Sequence, residues 1–128
     1  MGEFTAATRN AWLDDFTSTT KYLALFDGDP QAAGTEVTGG AYARVAITAA
    51  DWGAATGDGT CANSALKSFV EASGDWISGA DITYWGICTS GTATTDDVEA
   101  SDTLTVAKPI TNGDTASFAI GAVTLSIT

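Results

Sequence analysis

Turn-forming residues recur at short intervals through most of this sequence, and they limit the length of any regular element. After residue 20, clusters rich in glycine, aspartate, asparagine or proline lie at residues 27–30, 38–40, 53–60, 73–75, 91–102 and 112–113. Glycine adopts positive φ readily, aspartate bonds to nearby backbone and proline cannot donate to a strand ladder, so such clusters favour turns and loops. The segments between them are short enough to be strands.

These short segments have the alternating or fully apolar patterns of β-strands. The predicted strands cover residues 21–27, 41–48, 65–70, 81–90, 103–110, 115–120 and 122–128. Segment 81–90, DITYWGICTS, is apolar on both faces, which indicates a central strand of a sheet. In the second predicted strand, alternation places Val45 on one face and Tyr42 and Arg44 on the other. The dipeptide Asn112-Gly113 predicts a β-hairpin that joins the strands on either side of it.

One segment before residue 20 has helical spacing instead. Residues 6–16, AATRNAWLDDF, place Trp12, Leu13 and Phe16 on one side and two aspartates on the other. The alternation of strands and helices that builds a parallel sheet is missing. We therefore predict an all-β fold, an antiparallel β-sandwich of jelly-roll or related Greek-key type, with one short N-terminal helix. We expect an N-terminal helix and lead-in arm at residues 1–20 and the β-sandwich domain at residues 21–128.

The charge of the chain limits its partners. Five basic residues face sixteen acidic ones, for a net charge of −11. Binding to nucleic acid needs clustered lysine and arginine, so we expect no direct contact with nucleic acid. No run of 18 apolar residues is present and the N-terminus, MGEFTAATRN, is polar. We expect neither a membrane span nor export through a signal peptide.

Cysteine and histidine usage narrows the possible chemistry. Cys61 and Cys88 are the only cysteines, without metal-binding spacing, and two buried free thiols are favoured over one disulfide between neighbouring strands. The chain has no histidine, which excludes Ser-His-Asp and Cys-His mechanisms. We expect no enzymatic activity and no cofactor.

Acidic residues provide the remaining candidates for a site. Glycoside hydrolysis uses groups of neighbouring carboxylates, and the sequence offers Asp14 with Asp15, Asp27 with Asp29, and Asp96 with Asp97 and Glu99. Acids on a helix face or in turns and loops are usually only solvated. Hard oxygen ligands also suit calcium, although the spacing does not match the twelve-residue calcium loop. The weak calcium candidates are Asp27, Asp29, Asp96, Asp97 and Glu99.

Tryptophans suggest a different type of site. Trp52 and Trp76 lie beside aspartates near predicted strand ends, where an exposed ring would provide a stacking platform for a sugar. A plug for the end of the sandwich or a subunit contact is the favoured alternative. The candidate residues for contact with another subunit or partner are Trp12, Leu13, Phe16, Trp52 and Trp76.

The order of the segments resembles a known family. The series TSTTKYLALFDGDP, GTEVTGGAYARVAIT, DITYWGICTS and LTVAKPITNGDTASFAIGAVTLSIT is similar to small virion proteins of tailed bacteriophages, often labelled tail fibre or structural proteins. In that family DGDP ends a strand, Gly39 and Gly40 precede another, and NGD forms a hairpin tip. The resemblance assigns these motifs to architecture, and we expect Arg44 either to pair with an acid such as Glu36 or to be solvated at the surface.

The resemblance implies a non-enzymatic virion protein, made in the host cytoplasm and bound to other virion proteins. A stand-alone sandwich without long repeats or a shaft favours a decoration or cement protein on the outer surface of the head, in contact with the major capsid protein. A tail or tail-fibre component is the alternative, and a carbohydrate-binding module is an alternative of another class. We expect a homo-oligomer, with trimers at local threefold axes as a common arrangement.

Overall fold

The computed structural model describes residues 2–94 and 96–127 and is dominated by short strands. The elements are α1 (Ala6–Phe16), β1 (Lys21–Phe26), β2 (Val45–Ile47), β3 (Thr60–Ala62), β4 (Lys67–Ser68), β5 (Ile82–Cys88), β6 (Val98–Lys108), β7 (Ser117–Phe118) and β8 (Thr124–Ser126). The helix has the predicted bounds. Within the described residues, no helix combines the length and the apolar character needed to cross a membrane.

The strands form one larger sheet and two short ladders. The four-stranded sheet has the order β2-β1-β5-β6, while β3 pairs with β8 and β4 pairs with β7. The pairs β1/β5, β5/β6 and β3/β8 are antiparallel. The all-β class with one short helix is therefore confirmed, and β5 lies between two strands as predicted for the segment that is apolar on both faces. The sandwich or jelly-roll arrangement remains a prediction.

The chain forms two compact units that are interleaved in sequence. Unit 1 consists of Met1–Thr20, Ile47–Lys67 and Phe118–Thr128, and unit 2 consists of Lys21–Ala46 and Ser68–Ser117. The predicted division into an arm at 1–20 and a domain at 21–128 stays a prediction.

In unit 1 the helix packs on the glycine-rich loop at residues 53–60. Thr5 caps the helix by accepting a hydrogen bond from the Thr8 amide. The Asn10 side chain accepts a hydrogen bond from the Gly59 amide at 2.9 Å, and the Asp14 carboxylate accepts one from the Ala55 amide at 2.8 Å. Polar side chains on one face of α1 thus accept hydrogen bonds from loop amides that have no partner in a strand ladder.

A buried asparagine organises the rest of unit 1. Asn63 is 2% exposed, and its side-chain amide donates to the carbonyls of Ala65 and Ala119, both at 2.9 Å. Its side-chain oxygen accepts from the Val123 amide at 2.9 Å. Because all of these bonds are made by one side chain, Asn63 ties the segment after β3 to the segment before β8 without an unpaired polar atom.

Unit 2 is built around the antiparallel pairing of β1 with β5 and β5 with β6. Leu23 lies opposite Ile87 and Leu25 opposite Trp85, and all four side chains are buried. Residues 23–26 are all buried, so both faces of β1 are covered over this stretch. A separate aromatic cluster contains Tyr42, Phe69 and Trp76, with ring centroids 5.1 to 6.1 Å apart.

Several predicted strands have different bounds in the structure. The segment predicted as strand 41–48 is a strand only at Val45–Ile47, because Ala41 has φ 64° and the chain turns there. The prediction that 91–102 is an exposed loop is wrong in its second half, which belongs to β6. Strand β3 was not predicted, because Thr60 was assigned to the glycine-rich loop. The predicted strand 65–70 is reduced to β4.

The predicted hairpin at Asn112-Gly113 is wrong, although the turn is present. Gly113 has φ 90°, and the Asp114 amide donates to the Thr111 carbonyl at 3.0 Å. After the turn the chain pairs with another segment, since the Gly113 amide donates to the Ala72 carbonyl and the Ala72 amide to the Asp114 carbonyl. Strand β6 pairs with β5 and strand β7 with β4.

Candidate functional site

The five predicted contact residues differ widely in exposure. Trp76 is 1% exposed, Leu13 3% and Trp52 7%, whereas Phe16 is half-buried and Trp12 is 46% exposed. A sugar-stacking site at Trp52 or Trp76 would need an exposed ring, and both of these tryptophans are buried.

Close packing explains the burial of Trp76 in unit 2. Its indole N–H donates to the Gly40 carbonyl at 2.8 Å, and its ring contacts Tyr42 and Phe69 edge to face. A side chain at Gly39 would clash here, because its Cβ would lie 1.8 Å from the Asp75 carbonyl oxygen. Gly39 therefore allows the backbone to pass close to Trp76, and Gly40 allows it to pass close to Ser73 and Gly74.

The calcium candidates do not converge on a common point. Among the described residues, no group of three or more histidines, cysteines or acids is placed to hold a metal ion. Asp27 and Asp29 accept hydrogen bonds from the backbone amides of their own turn. Glu99 pairs with Lys21 at 2.8 Å, and Asp97 pairs with Arg44 at 2.8 Å. Asp96 is exposed.

The most concentrated charge in unit 2 surrounds Arg44. Its guanidinium donates to both oxygens of Glu36, with Nε 2.9 Å from Oε2 and Nη2 2.7 Å from Oε1. Its Nη1 donates to Asp97 Oδ1 and to the Ser90 carbonyl, both at 2.8 Å. The expected pairing of Arg44 with Glu36 is confirmed, and Asp97 is a second partner. The Arg44 side chain is 0% exposed, although alternation placed it on the more polar face of the predicted strand.

The carboxylates of both acids accept further hydrogen bonds. The Tyr42 hydroxyl donates to Glu36 at 2.7 Å and accepts from the Leu25 amide at 3.1 Å. The Thr94 amide, in a residue with φ 64°, donates to Glu36 at 2.7 Å. Asp97 accepts from the Ser90 amide at 2.6 Å. We name Glu36, Tyr42, Arg44 and Asp97 the Arg44 cluster.

The pKa values in and around the Arg44 cluster follow from burial and hydrogen bonding. Burial alone raises the pKa of Asp97, but the hydrogen bonds from Arg44 and the Ser90 amide outweigh it and lower the pKa. Burial and the hydrogen bond to Glu36 raise the pKa of Tyr42, which stays protonated as a donor. A cluster with its hydrogen-bonding groups satisfied in this way fixes loops to strands and leaves little capacity to act on a substrate.

A shallow cavity of about 300 Å³ lies beside this cluster in unit 2. Its lining includes Phe26, Pro30, Val98, Asp96 and Glu36. Both Glu36 oxygens are already bound by Arg44, and one also by Tyr42 and the other by Thr94. The buried carboxylate is therefore committed to the fold and not directed at a ligand.

In unit 1 an aromatic pair lies on the surface. Phe4 is 59% exposed and Trp12 46% exposed, and their rings meet edge to face with centroids 4.4 Å apart. The Arg9 guanidinium donates to the Phe4 carbonyl and pairs with Asp58. Phe4 was not among the predicted contact residues, because it precedes the helix and belongs to no periodic pattern. In the sequence, Phe4 and Trp12 are eight positions apart. Phe4 directly precedes the N-cap Thr5, and Trp12 lies in the second turn of α1.

Most of the positive charge of the chain is engaged internally. Arg9, Lys21, Arg44 and Lys67 form ion pairs with Asp58, Glu99, Glu36 and Asp51, respectively. The fifth basic residue, Lys108, is exposed and forms no ion pair within residues 2–94 and 96–127. The charge that the surface offers to a partner is therefore predominantly negative.

The comparisons with known proteins agree with an architectural role. No curated protein is similar enough in sequence to serve as a relative. The family described as Podophage GP4 fiber I protein gp80 matches residues 3–126, which is nearly the whole chain. The resemblance to small phage virion structural proteins is confirmed, since the chain belongs to the family of podophage GP4 fiber I protein gp80.

Proposed function

We propose that this chain is a non-enzymatic subunit of a podophage tail fibre. The observation that carries the proposal is the match of residues 3–126 to a fiber protein family. Membership of that family favours the fibre over decoration of the head, which was the first expectation from the sequence. The absence of long repeats does not decide between the two, because a short chain can be one subunit of a larger fibre.

The chemistry of the structure supports a role without catalysis. The Arg44 cluster is the most heavily charged buried group in unit 2, and its carboxylates bind arginine, tyrosine and backbone amides. Catalytic acids and bases need an approach for substrate and a pKa near the working pH. The lowered pKa of Asp97 moves it away from that range.

Contacts with other virion proteins are part of the same proposal. A fibre subunit must bind a neighbouring protein, and exposed apolar side chains are present in unit 1 and unit 2 alike. Self-association into a trimer remains a prediction, which sedimentation of the purified protein would test.

Immunogold electron microscopy of intact virions tests the proposed location. We expect antibodies against this chain to label the tail fibres and to leave the head unlabelled. Regular labelling of the head would replace the fibre assignment with head decoration. A protein that is missing from purified virions would overturn the virion role altogether.

A further inference from the structure

The aromatic pair of Phe4 and Trp12 is an unusual feature for a protein surface. Single exposed apolar residues are common, but two large rings in contact form a patch of the kind found at binding sites. Tryptophan is also the residue type that most often dominates binding energy when it enters a partner. Trp12 stays 46% exposed and Phe4 59% exposed although their rings are in contact, so both present apolar surface to a partner.

The pair is held in place before any partner arrives. The Thr5 side chain caps the helix directly after Phe4, and Arg9 binds the Phe4 carbonyl. Arg9 is itself fixed by its ion pair with Asp58. Because these contacts already order the segment, binding of a partner to the two rings would cost this segment little conformational entropy.

The charges around the pair define the partner. Glu3 directly precedes Phe4, and Asp15, which the sequence pattern assigned to the opposite side of α1, neighbours Trp12 on the helix surface because it lies three residues further on. Both are exposed, and neither belongs to an ion pair among the described residues. The nearest basic side chain along the helix, Arg9, is neutralised by Asp58. The rim of the patch is therefore acidic.

We propose that Phe4 and Trp12 form the docking surface for a different virion protein, which offers an apolar groove bordered by lysine or arginine. This inference rests on the proposed function. A second copy of this chain fits poorly, because its net charge is −11 and four of its five basic residues are already paired. A groove with basic borders matches both the rings and the acidic rim.

Incorporation into virions tests the surface directly. A phage without a working copy of the gene is supplied with wild-type protein or with Trp12→Ala, and the protein per purified virion is measured by immunoblot. We expect at least about a tenfold loss for Trp12→Ala, the effect of removing a binding hot spot. Leu66→Ala is the matched control, because Leu66 is 58% exposed in the same unit, and it should be incorporated normally. Equal incorporation of Trp12→Ala and wild type would overturn the proposal.

A charge variant covers the case in which Trp12→Ala fails to fold. Asp15→Lys changes an exposed residue of the rim and should also reduce incorporation at least several-fold, whereas Asp81→Lys, at an exposed position in unit 2, should not. An unchanged amount of Asp15→Lys in virions would contradict the basic border of the groove.

Photo-crosslinking identifies the occupant. With p-benzoylphenylalanine in place of Trp12, irradiated virions should yield a crosslink to another virion protein, at a peptide that contains lysine or arginine. A crosslink to a second copy of this chain would overturn the proposal. If even the wild-type protein is missing from virions, the proposed function fails instead, so the two failures are distinguishable.

Discussion

At the scale of single residues, the burial of Arg44 has the largest energetic consequence. A buried charge is tolerated only when its partners replace the lost water, and here Glu36, Asp97 and the Ser90 carbonyl do so. The side chain links the segment that contains Glu36 to the distant segment that contains Ser90 and Asp97, both in unit 2. Removing it leaves the buried Glu36 carboxylate and the half-buried Asp97 carboxylate without their cation.

We expect Arg44→Met to lower the free energy of unfolding by about 3–5 kcal/mol, the usual cost of breaking a buried ion pair from one side. Urea denaturation of the purified protein measures this. Lys108→Met is the control, since Lys108 is exposed, and it should change the free energy of unfolding by less than about 0.5 kcal/mol. Similar effects for both variants would contradict the energetic importance of the Arg44 cluster.

The lowered pKa of Asp97 predicts a dependence of stability on pH. A carboxyl with a lower pKa in the folded state stabilises the protein above its unfolded pKa, about 3.9, and loses this contribution as pH falls through the folded pKa. We therefore expect the difference in unfolding free energy between wild type and Asp97→Asn to shrink below about pH 4. Denaturation curves from neutral to acidic pH measure the difference. Asp81→Asn, at an exposed position, should have the same unfolding free energy as the wild type at each pH. If the difference in unfolding free energy between wild type and Asp97→Asn stays constant as pH falls, the prediction is refuted.

At the scale of elements, glycines mark where one segment approaches another. Gly39→Ala should cost at least about 3 kcal/mol, because the new Cβ would lie 1.8 Å from the Asp75 carbonyl oxygen and 2.4 Å from the Trp76 Cα. Gly74→Ala tests the same region at a position whose nearest atom is 3.9 Å away, and it should cost less than about 1 kcal/mol. Thermal unfolding compares the two, and equal melting temperatures would show that the close approach is not required.

The contact of α1 with the glycine-rich loop allows a similar comparison in unit 1. Gly57 and Gly59 both have positive φ, 58° and 85°, so alanine at either position costs about 1–2 kcal/mol in backbone strain. Only at Gly59 would the Cβ also meet Arg9, at 2.8 Å from its Cβ. Gly59→Ala should therefore lose at least about 1 kcal/mol more than Gly57→Ala in urea denaturation. The reverse order would mean that the helix does not rest on this loop.

The success of sequence-based prediction also varied between elements. The helix at residues 6–16 and strand β1 were predicted closely, because each is one continuous pattern with a clear end. The turn at Gly113 was found, but the choice of partner strand depends on Ala72, which is distant in sequence. The burial of Arg44 was not predicted for the same reason, since it depends on Glu36 and Asp97. Local patterns indicate elements, whereas non-local partners decide pairing and burial.

The candidate docking site was predicted only in part. Trp12 was identified as a contact residue and Phe4 was missed, while for Trp52 and Trp76 the sequence favoured a plug or a subunit contact over an exposed ring without deciding between them. A tryptophan beside an aspartate at a strand end carries no signal that separates an exposed ring from a buried one. That difference depends on packing partners such as Phe69 and Tyr42.

At the scale of the whole molecule, each unit contains one buried thiol. Cys61 is in unit 1 and Cys88 in unit 2, and both are free, as the sequence favoured. Burial raises the pKa of Cys61 to about 11 and that of Cys88 to about 12. The reactive thiolate is therefore scarce at neutral pH, and access to the sulfur requires opening of the surrounding structure.

We expect neither thiol to react with a disulfide reagent at pH 8 within minutes in the native state, and both to react after denaturation. The variants Cys61→Ser and Cys88→Ser leave one thiol each, so that the labelling rate reports the opening of one unit at a time. Rapid labelling of the native Cys88→Ser variant would show that unit 1 opens easily, contrary to the burial of Cys61.

The interleaving of the two units has a consequence for biosynthesis. Strand β3 ends at Ala62, but its partner β8 begins only at Thr124. Strand β5 likewise cannot complete its pairing with β6 until the chain has been synthesised as far as Lys108. On the ribosome, the first half of the chain therefore emerges without the strands that complete its ladders. Until those strands emerge, the apolar segments already made remain without their native partners, and nascent chains are most exposed to misassociation or to capture by host chaperones during this interval.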